Sequence, residues 1–195
     1  AAALARSVIE AFDDVDYVVA PSGSCAGMLK RHYPELLAED AEWRPRVRVF
    51  ASKVHELVSF LVNVRGVVRV EATCEARATY HDACSGLREL GIRDEPRRLL
   101  ASVNGLSLVE MAEPEACCGF GGTFSVKYPT ISTAIVEQKT QRITATGADL
   151  LIAGDLGCLI NMAGKLSREG SAIEVRHVAE VLAGARDKPG IGASR

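Results

Sequence analysis

The sequence predicts an α/β fold of two pseudo-repeated Rossmann-like βαβ lobes with largely parallel sheets, the first lobe incomplete. Short apolar runs that suit buried strands alternate with stretches whose apolar residues recur at helical spacing, as in βαβ units. Two segments, DYVVAPSGSC (16–25) and DLLIAGDLGC (149–158), align without a gap at an offset of 133 residues, which indicates two copies of one module. The chain has 195 residues, of which 48 % are apolar and 25 % charged, as is ordinary for a globular α/β protein.

Residues 1–64 are predicted to be the remainder of the first lobe with a connecting helix. The predicted elements are, in order, a helix over 1–12, a buried strand over 16–20, a helix from Ala26 and an amphipathic helix over 53–64. Residues 34–48 show neither period, so they are predicted to be irregular, and RPRVRV (44–49) is interpreted as a solvated loop. This lobe therefore contributes one predicted strand that leads directly to a cysteine-bearing turn.

Residues 65–184 are predicted to form the second lobe, and residues 185–195 a loose tail. The predicted strands cover 67–70, 78–80, 106–111, 149–153 and 173–176, and the predicted helices cover 85–90, 96–103, 131–146, 157–166 and 177–182. Of these, 149–153 is the short run DLLIA, and it precedes the turn that leads to Cys158.

The repeat also predicts what precedes the printed sequence. The counterpart of Cys118 in the first copy falls at about position −15, before Ala1. We therefore expect the sequence to be a piece of a longer chain whose first lobe carries its own paired cysteines.

Composition and charge exclude several function classes. The net charge of −2 gives no basic surface for nucleic acid. No apolar run reaches the roughly 18 residues that span a bilayer, and no signal-peptide pattern opens the chain, so we predict a cytoplasmic protein without a membrane span. The GFGG stretch lacks the third glycine of the dinucleotide fingerprint because Phe124 stands there, and no hydrolase motif is present.

Four cysteines of the second lobe are predicted to converge at one edge of its sheet. Each follows a predicted strand, and in a parallel sheet ligands collect beyond the carboxyl ends of the strands. They are Cys84, Cys117, Cys118 and Cys158. Four thiolates at one point suit either an iron–sulfur cluster or a zinc ion, and six cysteines in a reducing compartment favour metal or redox chemistry over disulfides.

Neighbouring residues support this interpretation. Gly119, Gly121 and Gly122 would let the backbone approach the site closely, and their N–H groups could donate to cluster sulfides. His81, three residues before Cys84, is a candidate hydrogen-bond donor to the metal ligands or an exchangeable ligand itself.

Several of these motifs together resemble a known family. HDAC (81–84), CCGFGG (117–122), the spacing of 32 residues between Cys84 and the cysteine pair, and D-x-G-C at Asp155 are similar to the CCG cysteine-rich proteins. That family includes the heterodisulfide reductase B subunit and the iron–sulfur subunit of glycolate oxidase. The likeness is greatest to its lactate-utilisation protein A group and covers about residues 1–184.

The resemblance implies an iron–sulfur oxidoreductase component that works with two other lactate-utilisation proteins to oxidise L-lactate to pyruvate. By position, the ligands of the second site would be Cys84, Cys117, Cys118 and Cys158. Cys25, the counterpart of Cys158, would be the ligand of the first site that this sequence retains.

The sequence departs from the wider family pattern, which ends in C-x-x-C. Asn161 stands at that last position in the second copy and Met28 in the first, so the fifth thiolate is absent from both. Either a cubane or a non-cubane [4Fe-4S] cluster is therefore compatible with the sequence. Two alternatives also stay open, namely a zinc-stabilised docking module and a metal-free dithiol relay at Cys117 and Cys118. Cys74 has no counterpart in the repeat and is interpreted as a spare thiol.

Overall fold

The computed structural model describes residues 1–193 and has the α/β class with parallel sheets that the sequence predicts. The strands are β1 (Val18–Ala20), β2 (Val54–Glu56), β3 (Thr73–His81), β4 (Asn104–Leu108), β5 (Leu150–Ala153) and β6 (Glu174–His177). Within the described residues they form a two-stranded sheet, β1-β2, and a four-stranded sheet in the order β4-β3-β5-β6, and every pair is parallel. Each copy of the repeated segment therefore contributes a strand to its own parallel sheet.

Helices connect and flank these strands. They are α1 (Ala2–Ala11), α2 (Gly23–Gly27), α3 (Tyr33–Leu36), α4 (Trp43–Lys53), α5 (Leu57–Ser59), α6 (Asp94–Leu100), α7 (Thr123–Lys127), α8 (Pro129–Ala145), α9 (Leu156–Arg168) and α10 (Val178–Leu182), with π-helical turns at Met28–His32, Phe60–Val64 and Ser85–Glu89. Among residues 1–193 we find no helix whose length and apolar content would let it cross a membrane.

The prediction that residues 34–48 are irregular, with a solvated loop at 44–49, is wrong. Those residues contribute to α3 and α4, and RPRVRV lies inside α4. Trp43, Val47 and Phe50 are buried on one face of that helix, at spacings of four and three residues. The intervening arginines hide this apolar period from a sequence pattern, and the Arg46 guanidinium lies over the Trp43 ring at 4.2 Å.

Two further predictions of secondary structure are corrected. The predicted helix over 53–64 begins instead as strand β2, because Val54 pairs with Val18 of β1. The Glu56 carboxylate accepts a hydrogen bond from the Ser59 N–H (2.9 Å), and the helix starts only there. The strand predicted over 67–70 is absent from the described residues, and the Val70 N–H donates to the Ser102 hydroxyl (3.0 Å) instead of a strand partner.

The four-stranded sheet is covered by apolar residues on both faces. Leu150 and Ile152 of β5 belong to the cluster on one face, and Leu151 and Ala153 belong to the cluster on the other. Successive side chains of a strand point to opposite faces, so a strand buried on both sides needs an unbroken apolar run. The sequence DLLIA has this run, and all four strand residues are buried.

Hydrogen bonds join the two copies of the repeated turn. The Ser24 N–H of the first copy donates to Asp155 Oδ2 (2.9 Å), and the Leu156 N–H of the second donates to Ser22 Oγ (3.3 Å). Asp155 also caps its own helix, because Oδ1 accepts from the Gly157 N–H (3.2 Å). Each helix start therefore depends on a side chain from the other copy.

The described part of the C-terminal tail lies beside β6. The Ile191 N–H donates to the Val175 carbonyl (2.9 Å), and Ile191 packs against the apolar cluster on that side of the sheet. Residues 194–195 of the predicted loose tail lie outside the described residues.

Candidate metal centre

The carboxyl ends of β3 and β5 meet at one point of the sheet edge. His81, the last residue of β3, is in register with Ala153, the last residue of β5. Cys158 follows β5 in the first turn of α9, and Cys118 lies in the loop between β4 and α7. A ring nitrogen of His81 and the sulfurs of Cys118 and Cys158 all lie within 4.8 Å of one another, and all three residues are buried. The two sulfurs are 2.9 Å apart.

Cys117 lies next to the two buried thiols and is exposed to solvent. Its Sγ accepts a hydrogen bond from the Gly119 N–H (3.3 Å). Its hydrogen bond with the Cys118 thiol, together with burial of the group, raises the pKa of the Cys117 thiol. The same contact with Cys117 lowers the pKa of Cys118, but the hydrogen bond with Cys158 and burial outweigh it and raise that pKa to about 12. Without metal these thiols hold their protons at neutral pH, so a thiophilic metal would displace protons as it binds.

The His81 ring is neutral and has one fixed and one free nitrogen. Burial, followed by the nearby Lys139 charge, lowers the pKa of His81 to about 3. Nδ1 lies 3.2 Å from the Pro114 carbonyl oxygen, and since a carbonyl only accepts, Nδ1 carries the proton and donates. Nε2 is buried and has no hydrogen-bond partner within residues 1–193. Its lone pair is therefore available to a ligand.

Lys139 of α8 is a site residue that the sequence analysis missed. Its side chain is fully buried, and Nζ donates to the carbonyls of Glu113 (3.1 Å) and Pro114 (2.8 Å). Burial lowers the pKa of this amine to about 8. Val136 and Ile143 are buried on the same face of α8, three residues before and four residues after it. A lysine at a core position of the helical period was the signal that could have identified it.

The cysteine loop fits against α8 through a glycine. Gly119 has φ +81°, and a Cβ atom there would lie 2.6 Å from the Ser132 carbonyl oxygen. The Ser132 hydroxyl in turn donates to the Gly119 carbonyl (2.7 Å). Both the backbone conformation and the close approach therefore require glycine directly after the paired cysteines.

Asn161 occupies the position at which the wider family pattern places its last cysteine. Its side-chain Nδ2 donates to the Cys118 carbonyl (2.8 Å) and so joins α9 to the cysteine loop. The residue at this position therefore holds the backbone of Cys118 with an amide where the wider pattern has a thiolate.

Cys84 and Cys25 are not part of the 4.8 Å group in the described chain. Both are exposed, Cys25 within α2 and Cys84 directly before the π-helical turn Ser85–Glu89. Their elements pack closely, because a Cβ atom on Gly23 would lie 2.8 Å from the Gly86 nitrogen. The structure thus packs these two cysteine-bearing elements against each other. Cys74 lies apart, buried in an apolar cluster against the sheet.

The donor set fits a metal group bound by thiolates. Sulfur and imidazole ligands suit iron–sulfur clusters and zinc. A histidine with a buried, unpartnered nitrogen, whose ring lies beside two buried thiols, is an arrangement that a bound metal would satisfy.

The chain is similar in sequence to known proteins over the region that contains this site. The family described as CCG cysteine-rich domain matches residues 78–163, which include His81, the cysteine pair and Cys158. The chain is 53 % identical over 178 residues to "Lactate utilization protein A" of Shouchella clausii, which covers 91 % of this chain and 74 % of that protein. It is 46 % identical over 177 residues to the protein of the same name from Bacillus subtilis, with the same coverage.

A third relative of that name, from Oceanobacillus iheyensis, is 45 % identical over 177 residues, which are 91 % of this chain and 72 % of that protein. Identity at this level over most of both chains extends well beyond the cysteine motifs. The chain therefore belongs to the CCG cysteine-rich domain proteins, in the lactate utilization protein A family.

Proposed function

We propose that this chain is an iron–sulfur electron-transfer component of a system that oxidises L-lactate to pyruvate. The observation that carries the proposal is the buried meeting of Cys118 and Cys158 with His81 at the end of a parallel sheet. We assign lactate as the substrate because the relatives are named for its utilization. The chain would act as an oxidoreductase subunit together with two other lactate-utilisation proteins.

In this proposal Cys117, Cys118 and Cys158 hold the cluster, and Cys84 supplies the fourth thiolate. Cys25 serves the corresponding site of the first copy. A bound iron–sulfur cluster would supply one-electron oxidation and reduction. The chain buries the inner sulfurs away from water, and the Gly119 N–H donates to the Cys117 sulfur, which favours its thiolate form.

A zinc site is the second candidate, and the compactness of the donor group favours it. Two sulfurs and one nitrogen within 4.8 Å suit the coordination sphere of a single tetrahedral ion, with Cys117 as a fourth ligand. In that case the chain would be a docking or structural module and would transfer no electrons.

Metal analysis of the full-length protein purified without oxygen tests the proposal. We expect about four iron and four acid-labile sulfide per occupied site, with an EPR signal on reduction. The double variant Cys118→Ser/Cys158→Ser should lose the iron and sulfide of the second site. Cys74→Ala, which removes a buried thiol outside the site, is the matched control and should retain them.

Two results would contradict electron transfer. One is stoichiometric zinc without sulfide that persists after anaerobic reconstitution with iron and sulfide. The other is a metal-free protein in which alkylating reagents modify only the Cys117 and Cys118 thiols, which would indicate a dithiol relay.

A further inference from the structure

We infer that His81 is itself a ligand of this site and binds the metal through Nε2, beside the sulfurs of Cys118 and Cys158. The inference rests on the metal site of the proposed function, but it holds for any metal that the site binds. It gives the site a mixed nitrogen and sulfur donor set.

The first support is the unsatisfied state of Nε2. It is buried and has no hydrogen-bond partner in the described chain, although the sulfurs of Cys118 and Cys158 lie within 4.8 Å of a nitrogen of the ring. Buried polar atoms of native proteins almost always have partners, and an exception calls for a specific cause. An ion between the nitrogen and the two sulfurs would satisfy all three atoms together.

The second support is the opposite ring nitrogen. Histidines that bind metal commonly donate their other N–H to a carboxylate or a backbone carbonyl, which fixes the tautomer and the ring orientation. Nδ1 of His81 makes this bond to the Pro114 carbonyl (3.2 Å). The lone pair is therefore left on the nitrogen without a partner.

The third support is that several groups hold the acceptor and the ring in place. The Pro114 carbonyl also accepts from Lys139 Nζ (2.8 Å) and from the Asp82 N–H (3.1 Å). The Asp82 carboxylate accepts two bonds of 2.9 Å from the Arg97 guanidinium, which fixes the backbone directly after His81. Lys139 thus holds the carbonyl that accepts from His81, and the Asp82 carboxylate holds the backbone next to the His81 ring.

The fourth support comes from Asn161. Its Nδ2 donates to the Cys118 carbonyl, so this side chain fixes the loop. Since the family pattern places a thiolate here, the group of buried donors lacks one sulfur that the pattern would supply. His81 provides a donor atom in the same buried group.

Two variants of His81 test the roles of its two ring nitrogens separately. His81→Asn keeps an amide donor near the Nδ1 position and loses the atom at Nε2, whereas His81→Gln places an amide near Nε2 and loses the anchor. His55→Asn changes a histidine of β2 that is outside the group and is the control. Retained circular dichroism and thermal unfolding identify the variants that fold.

The experiment uses metal-free full-length protein with ¹⁵N-labelled histidine, loaded anaerobically either with Co²⁺ or with iron and sulfide. Hyperfine EPR should detect a strongly coupled nitrogen whose signal changes with the isotope. We expect His81→Asn to lose this coupling and to bind Co²⁺ at least about tenfold more weakly, while His55→Asn retains both properties.

A metal-loaded protein without a strongly coupled nitrogen, or a coupling that survives in His81→Asn, would overturn the inference. The same follows if neither Co²⁺ nor iron binds. A nitrogen-coupled Co²⁺ site in a protein that takes up no iron and sulfide would support the inference and contradict the iron–sulfur proposal. An iron–sulfur signal without nitrogen coupling would support the iron–sulfur proposal and contradict the inference. The failure of one is therefore distinguishable from the failure of the other.

Discussion

The two copies of the repeated segment have nearly the same sequence pattern but different surroundings. In the second copy, β5 lies inside a four-stranded sheet and Cys158 is buried beside Cys118. In the first copy, β1 pairs with one strand, α2 has five residues before it continues as a π-helical turn, and Cys25 is exposed. The repeated pattern sets a strand, a turn and a cysteine, whereas the neighbouring elements decide whether that cysteine lies in a buried donor group.

The turns of the two copies also differ in the hydrogen bonds that their side chains accept. Asp155 of the second copy accepts backbone N–H groups from both helices, its own and that of the first copy. The side-chain hydroxyl of Ser22, its counterpart, accepts only from the helix of the second copy within the described residues. The second copy therefore has its own cap, while the first copy depends on the second for the start of its helix.

The largest expected effect compares Ile152 with its counterpart Val19. Ile152 is 0 % exposed and Val19 is 37 % exposed. Ile152→Ala should lower the free energy of unfolding by about 2–5 kcal/mol because it leaves a cavity in the core. Val19→Ala should change it by about 0.5 kcal/mol or less. Urea unfolding of both metal-free variants measures the difference, and equal losses would mean that the two strands contribute alike.

An intermediate effect concerns the two caps. Asp155→Ala leaves two helix N–H groups without an acceptor, so it should lower the free energy of unfolding by about 2 kcal/mol, whereas Ser22→Ala should cost about 1 kcal/mol. Hydrogen exchange at the amides of Ser24 and Gly157 shows which helix start is affected. If Asp155→Ala loses protection at the Gly157 amide but not at the Ser24 amide, Asp155 does not join the two copies.

The smallest effect is a pH dependence at the junction. His177 Nε2 lies 3.0 Å from the Pro21 carbonyl of the first copy, and Nδ1 accepts from the Ala179 N–H. Burial lowers the pKa of His177, although the Glu180 and Asp155 carboxylates oppose this. The unfolded chain therefore takes up a proton on acidification before the folded chain does, so stability is lost as the pH falls below the ordinary histidine range.

His177→Asn tests this sign, since asparagine can still cap α10 but does not titrate. Denaturant unfolding between about pH 7.5 and about pH 5.5 should show the wild type losing stability relative to the variant. If the difference between the two proteins is constant over this range, His177 does not couple the junction to pH.

Part of the fold and of the site could be predicted from local sequence. The unbroken apolar run of β5 and the cysteines that follow predicted strands indicated a parallel sheet and its functional edge, because strand ends in such a sheet converge. The three-residue strand β2 was missed because a strand this short has no period that distinguishes it from the helix that follows. Helix α4 was missed because arginines stand between the residues of its apolar face in the sequence and obscure their helical spacing.

The network around His81 could not be predicted from sequence spacing. His81, Pro114 and Lys139 are 25 or more residues apart, and their contacts form only when β3, the cysteine loop and α8 pack together. A carbonyl acceptor leaves no mark in the sequence, since every residue has one.

The sequence by itself determined the fold class, the repeat and the set of cysteines, because these depend on local periodicity and on motifs read along the chain. The tertiary structure alone decided which donors meet, namely Cys118, Cys158 and His81, and which remain exposed, namely Cys25, Cys84 and Cys117. The physical reason is that burial and distance depend on the elements that surround a residue. Within the described residues, the cysteines of the two copies therefore differ in burial, because one strand lies inside a four-stranded sheet and the other pairs with a single partner.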